Sequence, residues 1–246
     1  MRSALTLIPL LALAACGGGA GGDNATPAAS ESPVATVAPP AGTNWADTVT
    51  KTAEGWVLGN PNAPIKLVEY GSRTCPTCGR FSTDAMEPLK QKYISTGRVS
   101  YEWRDFPLHG APDLALGLLN QCMPTPSFFA MLEQMFANQQ QFLERQQQLP
   151  PAAIQQLQTM TPPQAAVAMA DGLGIVDFVK QRGLPEAQAR QCLNDQAAIQ
   201  RMADGMAKAT NEMGVNGTPT FFINGEKLEA AMWSQVEPAL RAAGAR

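Results

Sequence analysis

Glu69-Tyr70-Gly71-Ser72-Arg73-Thr74-Cys75-Pro76-Thr77-Cys78 sets a Cys-x-x-Cys where a hydrophobic strand hands over to a helix. Upstream, Ile65-Lys66-Leu67-Val68-Glu69-Tyr70 is apolar and β-prone, and the turn-forming Asn60-Pro61-Asn62-Ala63-Pro64 precedes it. Downstream, Phe81, Met86 and Leu89 recur near helical spacing, predicting a helix from about Thr74 to Thr96 with Gly97 beyond it. Two cysteines in the first turn of a helix can close a disulfide with little backbone movement. Cys75 stands at the positive end of the helix dipole, where unpaired N–H groups favour an anion. Pro76 suits that first turn because its missing N–H has no helical partner to lose. The stretch therefore predicts a thiolate of depressed pKa at Cys75 and a reactive dithiol–disulfide couple. The alternatives are a static disulfide or half of a metal site. Zinc would need further Cys or His ligands, and these are scarce in a chain with 5 Cys and 1 His.

Working outward, Arg98-Val99-Ser100-Tyr101-Glu102-Trp103-Arg104-Asp105-Phe106 alternates as a second strand. Strand, helix and strand make a βαβ unit with a right-handed crossover. Ahead of it, Trp56-Val57-Leu58 suggests a small edge strand or hairpin. From about Leu108 to Val215, Ala, Gln, Leu and Met dominate and prolines punctuate the run. Short helices are expected at about 111–122, 126–142, 151–158, 162–171, 174–182, 185–193 and 196–213, several opening on Pro. Gln139-Gln140-Gln141 and Gln146-Gln147-Gln148 read as exposed helix surface. Strand signal then returns in Gly217-Thr218-Pro219-Thr220-Phe221-Phe222-Ile223-Asn224-Gly225-Glu226-Lys227-Leu228, two runs joined by the hairpin dipeptide Asn-Gly. A last helix, about Met232 to Ala243, closes the chain. The fold class is α/β, with residues 45–107 and 214–246 as the frame and 108–213 as an all-helical insertion.

The chain has 246 residues, 45% of them hydrophobic, enough for one domain with a sizeable core. A net charge of −3 gives no basis for binding nucleic acid or an anionic membrane surface. Residues 1–15 read as a signal peptide: Arg2 is the positive region, and Ala4 to Ala15 is apolar but too short to span a bilayer. Leu13-Ala14-Ala15-Cys16 resembles a bacterial lipobox, in which the cysteine is acylated and becomes the new N-terminus. An ordinary signal peptide with an incidental cysteine is the alternative. Buried acyl chains would hold the protein on a membrane, and export would place its cysteines in an oxidising compartment. Residues 16–44 are rich in Gly, Ala, Pro, Ser and Thr, and read as a lipid-anchored disordered linker with a reach of roughly 30 Å.

The CPxC at a strand–helix junction, the βαβ unit, the helical insertion and the Gly-Thr-Pro-Thr-Phe-Phe-Ile-Asn-Gly segment together resemble the DsbA family of thioredoxin-fold oxidoreductases, over about residues 55–246. The resemblance implies a thioredoxin-like fold with an inserted all-helical domain. It makes Cys75 the nucleophile that forms a mixed disulfide and Cys78 the resolving thiol. Pro219 resembles the cis-proline facing the dithiol, a trans turn proline being the alternative. Thr218 would present backbone groups to an extended substrate, beside Pro76 and Thr77 of the motif. Glu69 matches the acidic residue beneath the dithiol, with a role in the proton of Cys78; a half-exposed charge at a strand end is the other reading. Where the best-known member has Pro-His between its cysteines, this chain has Pro-Thr, and Thr77 brings no charge. The expected potential is therefore less oxidising than the strongest oxidants, yet above thioredoxin-like reductants.

The family's function implies reduced exported proteins as substrates, a membrane thiol oxidase of the DsbB type as partner, and no cofactor. The expected place is the cell envelope, periplasm-facing, with the lipid at Cys16 on either membrane. An isomerase or reductase, and a metal-binding chaperone, are the competing functions. Cys122 and Cys192 remain after Cys16 and the active pair. A second disulfide between them is expected, as in some DsbA-like proteins, with two buried thiols as the alternative. His109, the chain's single histidine, reads as structural, and Trp103 and the methionines of the helical block as core.

Overall fold

The computed structural model describes residues 33–246; the expected signal peptide, Cys16 and most of the expected linker lie outside the described residues. Val34 donates its backbone N–H to the Gly244 carbonyl and Val37 to that of Thr96, each at 3.0 Å. Trp45 Nε1 donates to the Val37 carbonyl at 2.8 Å. The end of the stretch expected to be a free linker up to residue 44 is therefore laid along the domain. Val34 and Trp45 supply apolar surface that the Gly-rich beginning lacks.

Strands β1 (Val49–Lys51) and β2 (Trp56–Gly59) form an antiparallel hairpin, followed by β3 (Ile65–Gly71), helix α1 (Pro76–Lys92) and β4 (Val99–Asp105). Eight helices follow: α2 (Ala111–Gln121), α3 (Phe128–Ala137), α4 (Gln139–Gln147), α5 (Pro151–Leu157), α6 (Pro162–Gly172), α7 (Ile175–Lys180), α8 (Glu186–Leu193) and α9 (Gln196–Met213). Strands β5 (Thr220–Ile223) and β6 (Glu226–Leu228) and helix α10 (Trp233–Ala242) complete the chain. The sheet order is β1-β2-β4-β3-β5-β6. Asn224 (φ 52) and Gly225 (φ 91) both take the left-handed conformation that a two-residue hairpin turn requires.

Strand β3 is central, parallel to β4 from Ile65↔Val99 to Gly71↔Asp105 and antiparallel to β5. The register sets Tyr70 opposite Thr220. The chain leaving β3 toward Cys75 and the chain entering β5 from Pro219 thus meet at one end of the sheet.

One core lies between the sheet, α1, α3 and α10, around Leu67, Phe81, Trp103, Phe128, Phe221 and Leu240. A second lies among the helices, around Leu116, Leu119, Phe142, Met169, Ile175 and Met202. Helix α3 serves both, with Phe128, Phe129, Leu132 and Phe136 toward the sheet and Met131 and Met135 toward the helices. The single helix expected over 126–142 is corrected: Asn138 (φ −107, ψ 8) separates α3 from α4. Its own side-chain amide donates to the Gln134 carbonyl at 2.8 Å, the local competition with helical pairing that asparagine favours. Among the described residues, no helix is long and apolar enough to cross a membrane.

Candidate active site

Cys75 is the N-cap of α1, with φ −76 and ψ 118, and Pro76 opens the helix. An extended N-cap leaves the first N–H groups of the helix pointing back at the sulfur. Cys75 and Cys78 are both free thiols; the first is 7% exposed and the second 0%. The Cys75 thiol is pushed down to about 5. The hydrogen bond from Cys78 contributes most; the Thr218 side chain and the backbone N–H groups of Cys78 and Thr77 add to it, against the opposing effect of burial. Cys78 is pushed well above its usual value, first by burial, then by donating to Cys75, and then by the charge of Glu69. One sulfur is thus built to be a thiolate and the other to keep its proton.

The Thr218–Pro219 peptide is cis. The Thr218 carbonyl lies 3.2 Å from Cys75 Sγ and accepts from the thiol form. The buried Thr218 hydroxyl has no hydrogen-bond partner among the described residues, so it can donate to the thiolate.

Glu69 is 1% exposed in β3, not a half-exposed strand-end charge. Tyr101 on β4 donates to its Oε2 at 2.7 Å, while Oε1 has no partner among the described residues. Burial raises its carboxyl to about 8; the Tyr101 bond opposes this, the Cys75 charge adds to it, and a hydrogen bond with Cys78 works against it. A buried carboxyl that keeps its proton up to about 8 therefore belongs to the electrostatics of the buried Cys78 thiol. Gly71 permits this packing, since a Cβ there would stand 2.2 Å from the Trp103 ring and 3.1 Å from Glu69 Oε1.

A thioredoxin family profile matches residues 51–242. The chain belongs to the thioredoxin family. The solved protein-disulfide isomerase of Novosphingobium aromaticivorans superposes with a TM-score of 0.72 at 29% identity, over 76% of this chain and 95% of that one. Wolbachia pipientis alpha-DsbA1 shares the fold at a TM-score of 0.60 and 23% identity, over 76% of this chain and 90% of its own. A Rickettsia bellii protein carrying the name protein-disulfide oxidoreductase is 26% identical over 184 residues, 75% of this chain and 62% of that one. The chain spans 52–62% of the length of this and a second Rickettsia relative. The expected thioredoxin-like fold with an inserted helical domain holds.

Three features of this thioredoxin-family site escaped the sequence reading. Gln139, expected on an exposed surface, is 8% exposed and donates to the carbonyls of Arg73 and Cys75, each at 2.9 Å. The break at Asn138 turns it inward. Arg73, 2% exposed, pairs with Asp105 on β4 and donates to Asn120 of α2, with its guanidinium 5.3 Å from the Trp103 ring. It ties the loop before Cys75 to sheet and insertion, which its place inside the motif alone suggested. His109 joins Ser72, Thr74 and Asp113 in one hydrogen-bonded cluster. A histidine and an acid four apart across a glycine was the available signal.

Of the remaining expected site residues, Pro76 is exposed and Thr77 and Thr218 half-buried beside the dithiol. Cys122 at the end of α2 and Cys192 on α8 are joined in a disulfide, with Cα atoms 6.1 Å apart. Among the described residues, no group of three His, Cys, Asp or Glu side chains converges to hold a metal.

Proposed function

We propose that this chain is a thiol:disulfide oxidoreductase that introduces disulfides into exported proteins, with Cys75 as the exchanging sulfur. The observation that carries the reading is the asymmetry of the pair, a Cys75 thiol near 5 above a fully buried Cys78 held far higher. In the oxidised protein, a substrate thiolate attacks Cys75 Sγ, the Cys75–Cys78 bond breaks, and Cys78 leaves as a thiolate that takes the proton of Glu69. The substrate's second thiolate then attacks its own sulfur in the mixed disulfide and releases Cys75, a good leaving group because its thiolate is stable. Two electrons pass from the substrate dithiol to the protein. Should the second thiolate fail to attack, Cys78 is the resolving thiol and Glu69 takes its proton back. Thr218 and Pro219 border the sulfur, where an extended peptide can pair by strand addition.

A Cys78→Ala variant whose Cys75 is first activated as a mixed disulfide with thionitrobenzoate traps a reduced peptide through Cys75 and releases thionitrobenzoate; Cys75→Ala treated alike traps none. Trapping by Cys75→Ala, or by neither variant, would sink the reading. The names of the Rickettsia relatives support the oxidoreductase, and that of the Novosphingobium protein favours a second reading, a disulfide isomerase of the envelope. The two differ in redox potential. Anchoring through Cys16, a periplasm-facing position and reoxidation by a DsbB-type membrane oxidase complete the proposal. They are supported by the lipobox-like Leu13-Ala14-Ala15-Cys16 and the family's chemistry.

A further inference from the structure

The loops that open α1 and α2 meet around one buried carboxylate. Asp113, 2% exposed, accepts from the Ser72 hydroxyl at 2.7 Å, the Thr74 hydroxyl and Thr74 N–H at 2.9 Å each, and the His109 N–H at 3.0 Å. Burial pushes its carboxyl up, but the His109 ring first, then the His109 N–H and the Ser72 and Thr74 hydroxyls, outweigh this and hold it below the usual range. The full negative charge of Asp113 therefore lies against Thr74, the residue immediately before Cys75, where it opposes ionisation of that sulfur.

Both hydroxyl protons of Ser72 and Thr74 are spent on Asp113. The His109 Nδ1, 2.8 Å from Thr74 Oγ1 and 3.2 Å from Ser72 Oγ, consequently faces only lone pairs and must carry the hydrogen. Its second proton belongs on Nε2. Nδ1 also lies 3.4 Å from Asp113 Oδ2, and the side chain is 46% exposed, open to exchange with water. The groups facing His109 are Ser72 and Thr74 from the loop, Cys75 from α1 and Asp113 from α2. Arg73, the charged residue of the same loop, is turned onto Asp105 and Asn120.

We propose that His109 is a positioning residue for the Cys75 thiolate: its imidazolium, fixed on Thr74, offsets the Asp113 carboxylate and lets the sulfur ionise. The proposal rests on Cys75–Cys78 being a reactive couple. It supplies from the loop before α2 the positive charge that the Pro-Thr dipeptide of the motif lacks. The Asp113 bond, against burial, and then the charges of Asp113 and of the Cys75 thiolate raise the His109 value, so imidazolium and thiolate coexist over a range reaching up from about 5. As pH rises through the His109 titration, the offset disappears and Asp113 repels the thiolate.

The test is thiolate absorbance against pH in the reduced full chain, for the unaltered protein, His109→Asn and His109→Asn/Asp113→Asn. His109→Asn keeps a donor in the Nδ1 place and removes the charge. It is expected to raise the Cys75 midpoint by about half a unit to one unit, and to slow alkylation below that midpoint about three- to tenfold. The double variant returns toward the unaltered value, because the charge needing an offset is gone. The potential of the unaltered chain also inflects with pH at the imidazole titration, and that of His109→Asn does not. A purely structural role predicts no charge-dependent midpoint and a double variant worse than His109→Asn. A His109→Asn midpoint equal to that of the unaltered chain, or no return in a folded double variant, overturns the proposal; His109→Asn alone decides if the double variant does not fold. Failure of the couple itself reads differently, as an unaltered chain whose Cys75 midpoint is not acid-shifted at all.

Discussion

Gln139 donates its side-chain amide to the Cys75 carbonyl at 2.9 Å, reaching the active-site turn from the helical insertion. The approach requires Gly79, where a Cβ would stand 2.6 Å from Gln139 Oε1. The catalytic turn is thereby seated on the insertion as well as on the sheet.

Gln139→Ala removes the side-chain donor of the Arg73 carbonyl and one of the two donors of the Cys75 carbonyl, which keeps the Gly79 N–H, and is expected to cost about 1–3 kcal/mol in urea unfolding. Gly79→Ala evicts the same amide. The double variant should therefore cost clearly less than the sum of the two singles, since the second change removes a contact already lost. Additive costs would show that the two residues do not share this contact.

Glu69 should make the stability of the oxidised protein fall with rising pH. Between the ordinary carboxyl value of 4.5 and about 8, the folded state holds a proton that the unfolded chain has lost. Stability therefore falls as pH rises across that window and levels off beyond it. Burial, the leading cause, persists when the dithiol is oxidised and the cysteines are silent, so oxidised protein is the material to unfold. Relative to wild type, Glu69→Gln should gain roughly 2–4 kcal/mol from the bottom of the window to the top.

Cys75 has the opposite sign in reduced protein. Its folded value near 5 lies below the ordinary 9.0, so between them the unfolded chain holds the extra proton. Reduced wild type should gain stability over Cys75→Ser as pH rises from 5 toward 9, and lose it as pH falls through 5. The expected gain is roughly 2–4 kcal/mol. Urea unfolding under reducing conditions measures it.

The Cys122–Cys192 bond closes a sequence separation of 70 within the helical block. Replacing both by Ser should cost up to about 4 kcal/mol in the chain-entropy model, read from the denaturation midpoint. The bond lies in the insertion rather than at the dithiol, so the potential of Cys75–Cys78 should not move.

The frame was legible because its signals are local. Alternation gives β3 and β4, Asn224-Gly225 gives the β5–β6 hairpin, and the motif sits where β3 gives way to α1. The Gln139 contact was not, because its position depends on a break at Asn138 that helical periodicity on both sides conceals. His109 was read as structural since only the meeting of two helix openings brings it to Thr74. Glu69 was ambiguous in sequence because its burial depends on Trp103 and Tyr101 of the neighbouring strand. The linker's end departs from the reading at Val34 and Val37, which Gly244, Thr96 and Trp45 of the domain hold in place although the composition of the stretch argues for disorder.

The equilibrium potential of the Cys75–Cys78 couple, measured against glutathione, tests the central claim most directly. A stable Cys75 thiolate stabilises the reduced form and makes the disulfide an oxidant. The expected value lies well above the roughly −270 mV of thioredoxin and below the roughly −120 mV of the strongest dithiol oxidants. A value at or below that of thioredoxin would contradict the oxidase account and make the chain a reductant.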